Sequence, residues 1–249
     1  MQRINFKNSR KLNLAAILYD ADSDAIVIMA HGFGCESGKF DYIAQCLNAS
    51  GYNVFILDFS GCGESDDDRI TCDKQIGDLK SAIAFVQGLG YKRLALWGNS
   101  LGSRICLQAY SSEIITMVLT GALLGPVHYH WEEYFSKEQM NELAQKGFIT
   151  QPIYRGPRQS VIIDKQMLDD FAEFDQQKYL SKIACPVLMI NGDGDSEELM
   201  LKELAAKAMH YLPASSRHEI INGAAHRFLG YLDRIVNLGL SWLEEYIPV

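Results

Sequence analysis

The sequence lacks the features that mark membrane-spanning, secreted and nucleic-acid-binding proteins. It has no run near the roughly eighteen apolar residues that a spanning helix needs. Its opening stretch, MQRINFKNSRKLNLAAILYD, mixes charged and apolar residues where a signal peptide is continuously apolar. Basic residues are in deficit, with 23 Lys and Arg against 31 Asp and Glu and a formal net charge of −8, whereas phosphate backbones are bound by clustered basic residues. We therefore expect a cytoplasmic protein with no membrane span and no nucleic-acid partner.

Cysteine is sparse, and no two cysteines have Cys-x-x-Cys spacing. The six are Cys35, Cys46, Cys62, Cys72, Cys106 and Cys185. In a chain of this size without a secretion signal, scattered cysteines predict reduced thiols rather than disulfides. The other residues give an ordinary globular composition, 48% hydrophobic and 22% charged, and 249 residues are enough for an α/β fold in one domain.

Short apolar runs alternate with longer amphipathic stretches along most of the chain. The runs at 25–33 and 52–61 predict buried strands, whereas 71–90 and 227–247 have apolar residues at helical spacing. Strands that alternate with helices form a parallel sheet with right-handed crossovers and helices on both faces. A polar turn between two alternating stretches near the N-terminus predicts an antiparallel hairpin at the sheet edge. The predicted fold class is α/β with a mostly parallel central sheet.

Residues 126–184 interrupt this alternation. They are polar, aromatic and mostly helical or irregular in pattern, with GFITQPIYRGPRQSVIID in their middle. A segment of this length without regular alternation is usually a functional lid in a compact domain. We expect 126–184 to be a cap inserted over the carboxyl edge of the sheet, and 1–125 and 185–249 to form the core.

One serine lies between two glycines where a predicted strand gives way to a predicted helix. Residues 98–102 read GNSLG and match G-x-S-x-G in the strand–turn–helix context that this motif requires. Such a turn makes the hydroxyl of Ser100 project above the sheet edge, and the following helix directs its first amides at a reacting carbonyl. Taken alone, the pattern is equally typical of a glycine-rich turn.

Candidate partners for this serine follow two later strands. Asp193 and Asp195 come after the run VLMING, and His226 comes after HEIINGAA, so all three residues belong to the carboxyl edge of the sheet with Ser100. A serine nucleophile needs a base, and the base needs an orienting acid. The order Ser, Asp, His is the one that this arrangement produces. We predict Ser100 as nucleophile and His226 as base, and the residues leave Asp193 and Asp195 open as the acid.

A fourth strand supplies a candidate oxyanion hole. The tetrapeptide HGFG at 31–34 ends the run AIVIMA. The backbone amide of Phe33 in this tetrapeptide and the backbone amide of Leu101, which follows the serine, can together bind a developing oxyanion. Loss of one such donor typically costs about 2.7–4 kcal/mol of transition-state stabilisation.

These motifs together resemble those of α/β-hydrolases over nearly the whole chain. The matching segments are HGFG (31–34), LDFSGCGESD (57–66), GNSLG (98–102), INGDGD (190–195) and NGAAH (222–226). The residues of these motifs are most similar to those of small carboxylesterases of the feruloyl (cinnamoyl) esterase and monoglyceride lipase type. That resemblance implies that Asp195, the second Asp of G-x-x-D, is the acid.

Three positions depart from the pattern of those enzymes. Cys62 stands where His or Arg is usual, Asn99 replaces a frequent His, and the acid turn is followed by SEEL instead of Val-Pro. None of these changes removes a catalytic group, but they weaken any transfer of substrate preference.

The predicted function is cleavage of small-molecule carboxylic esters through an acyl-enzyme, with no metal and no organic cofactor. Thioesterase and aminopeptidase-type acyl hydrolysis suit the same residues, as does acyl transfer to peroxide or another acceptor. A ligand-binding sensor on the same fold is the alternative outside enzymology. His128 and His130, in HYHWEE, are expected to line the pocket or surface rather than to bind a metal.

Overall fold

The computed structural model describes residues 1–34, 40–154 and 156–249. Its strands are β1 (Gln2–Lys7), β2 (Asn13–Tyr19), β3 (Ala25–Ala30), β4 (Asn53–Leu57), β5 (Arg69–Ile70), β6 (Arg93–Asn99), β7 (Ile114–Thr120), β8 (Phe148–Pro152), β9 (Ser160–Asp164), β10 (Val187–Gly192) and β11 (Arg217–Ile221). Its α-helices are α1 (Phe40–Ala49), α2 (Cys72–Gly88), α3 (Leu101–Ala109), α4 (Lys137–Lys146), α5 (Lys165–Asp170), α6 (Gln176–Leu180), α7 (Ser196–Ala208) and α8 (Leu232–Tyr246). Two short 3₁₀ helices lie at Trp131–Glu133 and Met209–Tyr211.

Eight strands form the central sheet in the order β1-β2-β4-β3-β6-β7-β10-β11. The hairpin β1–β2 is antiparallel at one edge and β2 pairs antiparallel with β4, whereas the other neighbours are parallel. The predicted α/β class, mostly parallel sheet and edge hairpin are therefore confirmed. Because the strands are parallel, β3, β6, β10 and β11 all end at one edge of the sheet.

The central strands are apolar along their whole length because helices cover both faces of the sheet. Every residue of β3 and β4 is buried. Helices α2, α3 and α7 pack on one face, and α1 and α8 pack on the other. Each fully buried aliphatic or aromatic side chain contributes about 1.5–3 kcal/mol, so this three-layer core holds the strand ends firmly in place.

The predicted helix over 227–247 begins later than expected, at the first residue of α8. Phe228 has a φ of 52°, in the left-handed region that a helix cannot contain. The segment between β11 and α8 is therefore a loop, and His226 lies in it.

The segment between β7 and β10 contains a small second sheet of its own. Strands β8 and β9 form an antiparallel hairpin, and β9 also pairs in parallel with the two-residue strand β5 from the core. The expectation of a mostly helical or irregular segment was wrong for this hairpin. The division into a core and a cap at 126–184 stays a prediction.

The cysteines differ from expectation at one position. Cys46, Cys72, Cys106 and Cys185 are free thiols, as predicted, whereas the buried Cys62 is disulfide-bonded. Cys35 lies outside the described residues. In the same described ranges, no helix is long and apolar enough to cross a membrane.

Candidate active site

Ser100 occupies a strained turn between β6 and α3. Its φ of 54° and ψ of −119° are rarely adopted by a residue with a side chain, and such backbones cost about 1–3 kcal/mol. Two backbone hydrogen bonds hold the turn: Ser100 N donates to Thr120 O at 2.8 Å, and Ser103 N donates to Ser100 O at 2.9 Å. A positive φ at the serine is what the strand–turn–helix context of G-x-S-x-G requires.

The glycine after the serine allows α3 to approach the neighbouring strand. A Cβ added at Gly102 would lie 2.1 Å from the carbonyl oxygen of Ala30, the last residue of β3. Any larger residue would push the first turn of α3 away from the sheet. The position of the serine therefore depends on this glycine.

His226 reaches the serine from the loop after β11. Its Nε2 lies 2.9 Å from Ser100 Oγ, so the hydroxyl can donate to an unprotonated ring nitrogen. Its Nδ1 lies 2.5 Å from Oε1 of Glu198. Gly121, with a φ of 54°, leaves room for this pair, since a Cβ there would lie 2.9 Å from His226 Cε1 and 3.1 Å from Glu198 Oε1.

The carboxylate at the imidazole is that of Glu198, and the expectation that Asp195 occupies this position is corrected. Asp195 is the N-cap of α7: its Oδ1 accepts from Glu198 N at 2.8 Å, and its Oδ2 accepts from the backbone N of His226 at 2.8 Å. Both oxygens are therefore engaged by main-chain donors. Asp193 accepts from Gly223 N at 2.6 Å and also does not bind the ring.

Glu198 is fully buried and held from two further directions. Its Oε2 accepts from Gly192 N at 2.6 Å and from Asn191 Nδ2 at 3.1 Å, both at the end of β10. His218 Nε2 lies 3.2 Å from the amide oxygen of Asn191. A buried carboxylate with all its partners supplied is fixed in orientation and aims its remaining oxygen at the imidazole.

The sequence does contain a signal for this glutamate. Asp195 and Glu198 have the D-x-x-E spacing of an N-cap and its third helical residue, and a glutamate at that position points back over the start of the helix. Here the start of α7 faces the end of β10 and the histidine loop. An acidic side chain in the first turn of α7 can therefore reach the imidazole as readily as one in the preceding turn.

The electrostatic surroundings raise the pKa of His226. Burial lowers the pKa of the imidazole, but the hydrogen bond with Glu198 and the charges of Glu197, Glu198 and Asp195 outweigh it. The net result is a pKa above the ordinary value of 6.5. This site therefore stabilises the imidazolium that forms when the ring takes a proton.

The predicted oxyanion loop lies against Ser100, since a Cβ added at Gly32 would be 3.1 Å from Ser100 Cβ. His31 is buried, with its Nδ1 2.9 Å from Gly32 O and its ring edge-on to Phe59, so it has a structural place in the loop. Leu101 is the first residue of α3. The roles of the Phe33 and Leu101 amides as oxyanion donors stay predictions.

Aromatic side chains of the inserted segment gather beside the oxyanion loop. We call this group the aromatic cluster; its members are Phe33, Tyr129, Trp131, Tyr134 and Phe171. Ring centroids of neighbouring members lie 4.9–6.2 Å apart. Trp131 and Phe171 contact Phe33, so the cluster adjoins the predicted oxyanion loop.

Arg104 fastens this segment to α3, the helix that follows Ser100. Its guanidinium is buried and donates to the carbonyls of Gly125, Asp170 and Phe171. The same group lies over the rings of Phe171 and Phe174. The aromatic cluster is therefore positioned by α3 itself.

The two histidines of HYHWEE, His128 and His130, are exposed. Over the described ranges, no group of three or more His, Cys, Asp or Glu side chains is arranged to hold a metal ion.

Comparison with known proteins gives one family and several partial relatives. The family model described as Hydrolase_4, serine aminopeptidase S33, matches residues 21–173. Thiohydrolase apmlB of Arthrinium phaeospermum is 27% identical over 151 residues, 57% of this chain and 49% of that protein. Monoacylglycerol lipase of Mycolicibacterium smegmatis is 28% identical over 110 residues, 41% of this chain and 39% of that protein. The chain thus matches less than half the length of either relative.

Solved structures resemble the whole chain. The α/β hydrolase GrgF from Penicillium sp. sh18 has a TM-score of 0.80 at 17% identity, covering 100% of this chain and 99% of that one. Est1E from Butyrivibrio proteoclasticus, solved with ferulic acid bound, has a TM-score of 0.77 at 16% identity, covering 99% and 100%. At such identities the likeness shows the fold alone, and it confirms the predicted α/β-hydrolase architecture.

Proposed function

Because the chain belongs to the Hydrolase_4 family (serine aminopeptidase, S33), we propose that it is a serine hydrolase that cleaves carboxylic esters through an acyl-enzyme on Ser100. One observation carries the proposal. His226 touches the serine hydroxyl with one ring nitrogen and the buried Glu198 with the other, at 2.9 and 2.5 Å. Nucleophile, base and orienting acid in this order are the requirements of serine-based acyl transfer.

In the first half of the reaction, Ser100 Oγ attacks the ester carbonyl while its proton passes to His226 Nε2. Glu198 holds the ring by Nδ1 and stabilises the imidazolium. The amides of Phe33 and Leu101 bind the negative oxygen of the tetrahedral intermediate. The imidazolium then protonates the leaving alcohol, and the acyl group stays on Ser100.

In the second half, His226 takes a proton from water as the water oxygen attacks the acyl carbonyl. The same donors bind the second oxyanion. When the intermediate collapses, the proton returns from His226 to Ser100 Oγ and the carboxylic acid is released. The aromatic cluster supplies apolar contact area for a substrate beside the nucleophile.

The proposal is tested by labelling with a fluorophosphonate probe, read by intact mass and peptide mapping. We expect one adduct on Ser100 in the wild type and none in Ser100→Ala or His226→Ala. Ser112→Ala, which changes an exposed serine, serves as the matched control and is expected to label normally. Absence of labelling in wild-type protein with a cooperative melting transition would contradict the proposal and favour the ligand-binding sensor.

A thioesterase is the second candidate, because one partial relative is described as a thiohydrolase. The same triad cleaves thioesters by the same steps. Matched oxygen and sulfur esters of one acyl group separate the two candidates by their kcat/KM values. A ratio above tenfold in favour of the thioester would reassign the substrate while leaving Ser100 in its role.

A further inference from the structure

A second glutamate lies on the other side of the catalytic imidazole. Glu197 precedes Glu198 on α7, and its Oε1 is 3.8 Å from His226 Nε2. The same Nε2 is 2.9 Å from Ser100 Oγ. The Glu197 side chain is 32% exposed, whereas that of Glu198 is completely buried. Glu197 therefore stands at the open side of the site, next to the nitrogen that hands a proton to the leaving group.

This carboxylate is tied to the aromatic cluster. Tyr129 donates its hydroxyl to Glu197 Oε1 at 3.0 Å. Burial and the nearby Glu197 charge raise the pKa of Tyr129, so the phenol keeps its proton and remains a donor. Tyr129 is itself flanked by Trp131, at 4.9 Å between centroids, and by Tyr134, at 5.5 Å. A carboxylate near His226 Nε2 and three electron-rich rings thus lie together.

Among the residues that the structure describes, no lysine or arginine forms an ion pair with Glu197. In the ranges that the structure covers, the ion pair formed by Glu197 is with His226 alone. A partly buried carboxylate is costly unless a cation neutralises it, and the faces of tyrosine and tryptophan rings attract cations in their turn. Both features favour a positively charged group and disfavour an anionic one.

We propose that Glu197 and the aromatic cluster form a cation-binding subsite, and that the enzyme prefers esters whose alcohol part carries an alkylammonium group. The alcohol part is favoured over the acyl part because Glu197 lies beside Nε2, where the leaving oxygen receives its proton. This inference rests on the proposed ester hydrolysis and adds the substrate class.

A pair of esters with the same shape and different charge tests the subsite. The 2-(trimethylammonio)ethyl and 3,3-dimethylbutyl acetates differ in having nitrogen or carbon at one position. We expect the wild type to hydrolyse the charged ester with a kcat/KM about tenfold or more above that of the neutral ester. Glu197→Gln should bring this ratio close to one, and Trp131→Leu should lower it partly.

The matched control is Glu203→Gln, which removes an exposed carboxylate from the same helix and should leave the ratio unchanged. If Glu197 acts only by holding a proton on His226, Glu197→Gln lowers both kcat/KM values by the same factor and shifts both pH profiles. That result would overturn the subsite, as would a wild-type ratio near one.

The failure of the subsite and that of the proposed function are distinguishable. If fluorophosphonate labels Ser100, and choline and 3,3-dimethylbutanol slow that labelling equally, the cation preference alone is refuted. If choline slows the labelling of Ser100 more than 3,3-dimethylbutanol does, and Glu197→Gln removes that difference, the subsite is supported. This holds even if acetate is a poor acyl group for the enzyme. A folded wild type with no label on Ser100 and no ester hydrolysis refutes the proposed function, and the subsite with it.

Discussion

Replacing Glu198 by Gln isolates the acid that the structure places at the imidazole. The substitution keeps the size of the side chain and its contacts with the end of β10, but it removes the charge beside Nδ1. It can also turn an amide NH₂ toward the ring and favour the wrong tautomer of His226. Asp195→Asn is the matched comparison, because it removes one negative charge from the residue that the family resemblance implies as the acid.

The magnitude follows from the burial and the short contact. Glu198 is wholly inaccessible and its Oε1 is 2.5 Å from His226 Nδ1. Two unit charges about 4 Å apart interact by about 4 kcal/mol at an effective dielectric constant of about 20, and about 4 kcal/mol is a factor of about 10³ in rate. Loss of the correct tautomer can bring the effect to about 10⁴. We expect kcat of Glu198→Gln to fall by about 10³–10⁴.

Asp195→Asn should behave differently because its oxygens bind only main-chain donors. Asparagine is as good an N-cap as aspartate, so the start of α7 is preserved, and loss of one hydrogen bond costs about 0.5–1.5 kcal/mol. We expect a lower melting temperature and a loss of kcat within about tenfold.

The assay is hydrolysis of p-nitrophenyl acetate with active-site titration, so that rates refer to folded enzyme. The Glu198→Gln profile should also move its acid limb to lower pH, because the hydrogen bond and charge that raise the pKa of His226 are lost. The assignment of Glu198 would be refuted if kcat of Glu198→Gln stayed within tenfold of wild type while kcat of Asp195→Asn fell by about 10³. That result would restore Asp195 as the acid.

Three further outcomes are expected. The acid limb of wild-type kcat/KM should lie above pH 6.5, because the base must be unprotonated and the pKa of His226 is raised; a limb below that value contradicts the electrostatics of the site. Gly121→Ala should lower kcat at least about tenfold, since its φ of 54° strains alanine and its Cβ would meet His226 at 2.9 Å; unchanged kinetics would show that the loop relaxes freely. Arg104→Lys should lower the free energy of unfolding by about 1–3 kcal/mol, because lysine lacks the planar fork that reaches three carbonyls. Backbone amide hydrogen exchange in 125–171 should become faster, and unaltered exchange there would refute the anchoring role.

The general arrangement of the site could be predicted because it depends on topology. Ser100 and His226 are 126 residues apart in sequence, yet each follows a strand of one parallel sheet. Strand ends of a parallel sheet meet at one edge whatever the intervening sequence does. Their contact therefore needs only the strand assignment, which long apolar runs such as AIVIMA and VLMING make clear.

The identity of the acid depends on helical phase, which the sequence pattern leaves open. Four acidic residues lie within six positions, from Asp193 to Glu198. Successive helical side chains differ by about 100° in direction, so Glu197 and Glu198 reach opposite sides of the imidazole. A shift of one residue in the start of α7 would exchange them, and the start is set by the hydrogen bonds of Asp195.

The hairpin β8–β9 was missed for a related reason. Its outer partner β5 is two residues long and lies about ninety residues earlier in the chain. Short strands with alternating but mostly half-buried residues give little periodic signal. Pairing of such segments is decided by the three-dimensional neighbours that the rest of the fold provides.

The left-handed backbone of Ser100 sets a conflict between thermal robustness and turnover. Glycine adopts such dihedral angles freely, and relieving a strained backbone position commonly stabilises a protein. Engineering that selects this protein for resistance to heat alone would thus reward loss of Ser100, the proposed nucleophile. A library screened for melting temperature must therefore be screened for turnover in the same round, and its stabilising changes should be sought away from this turn.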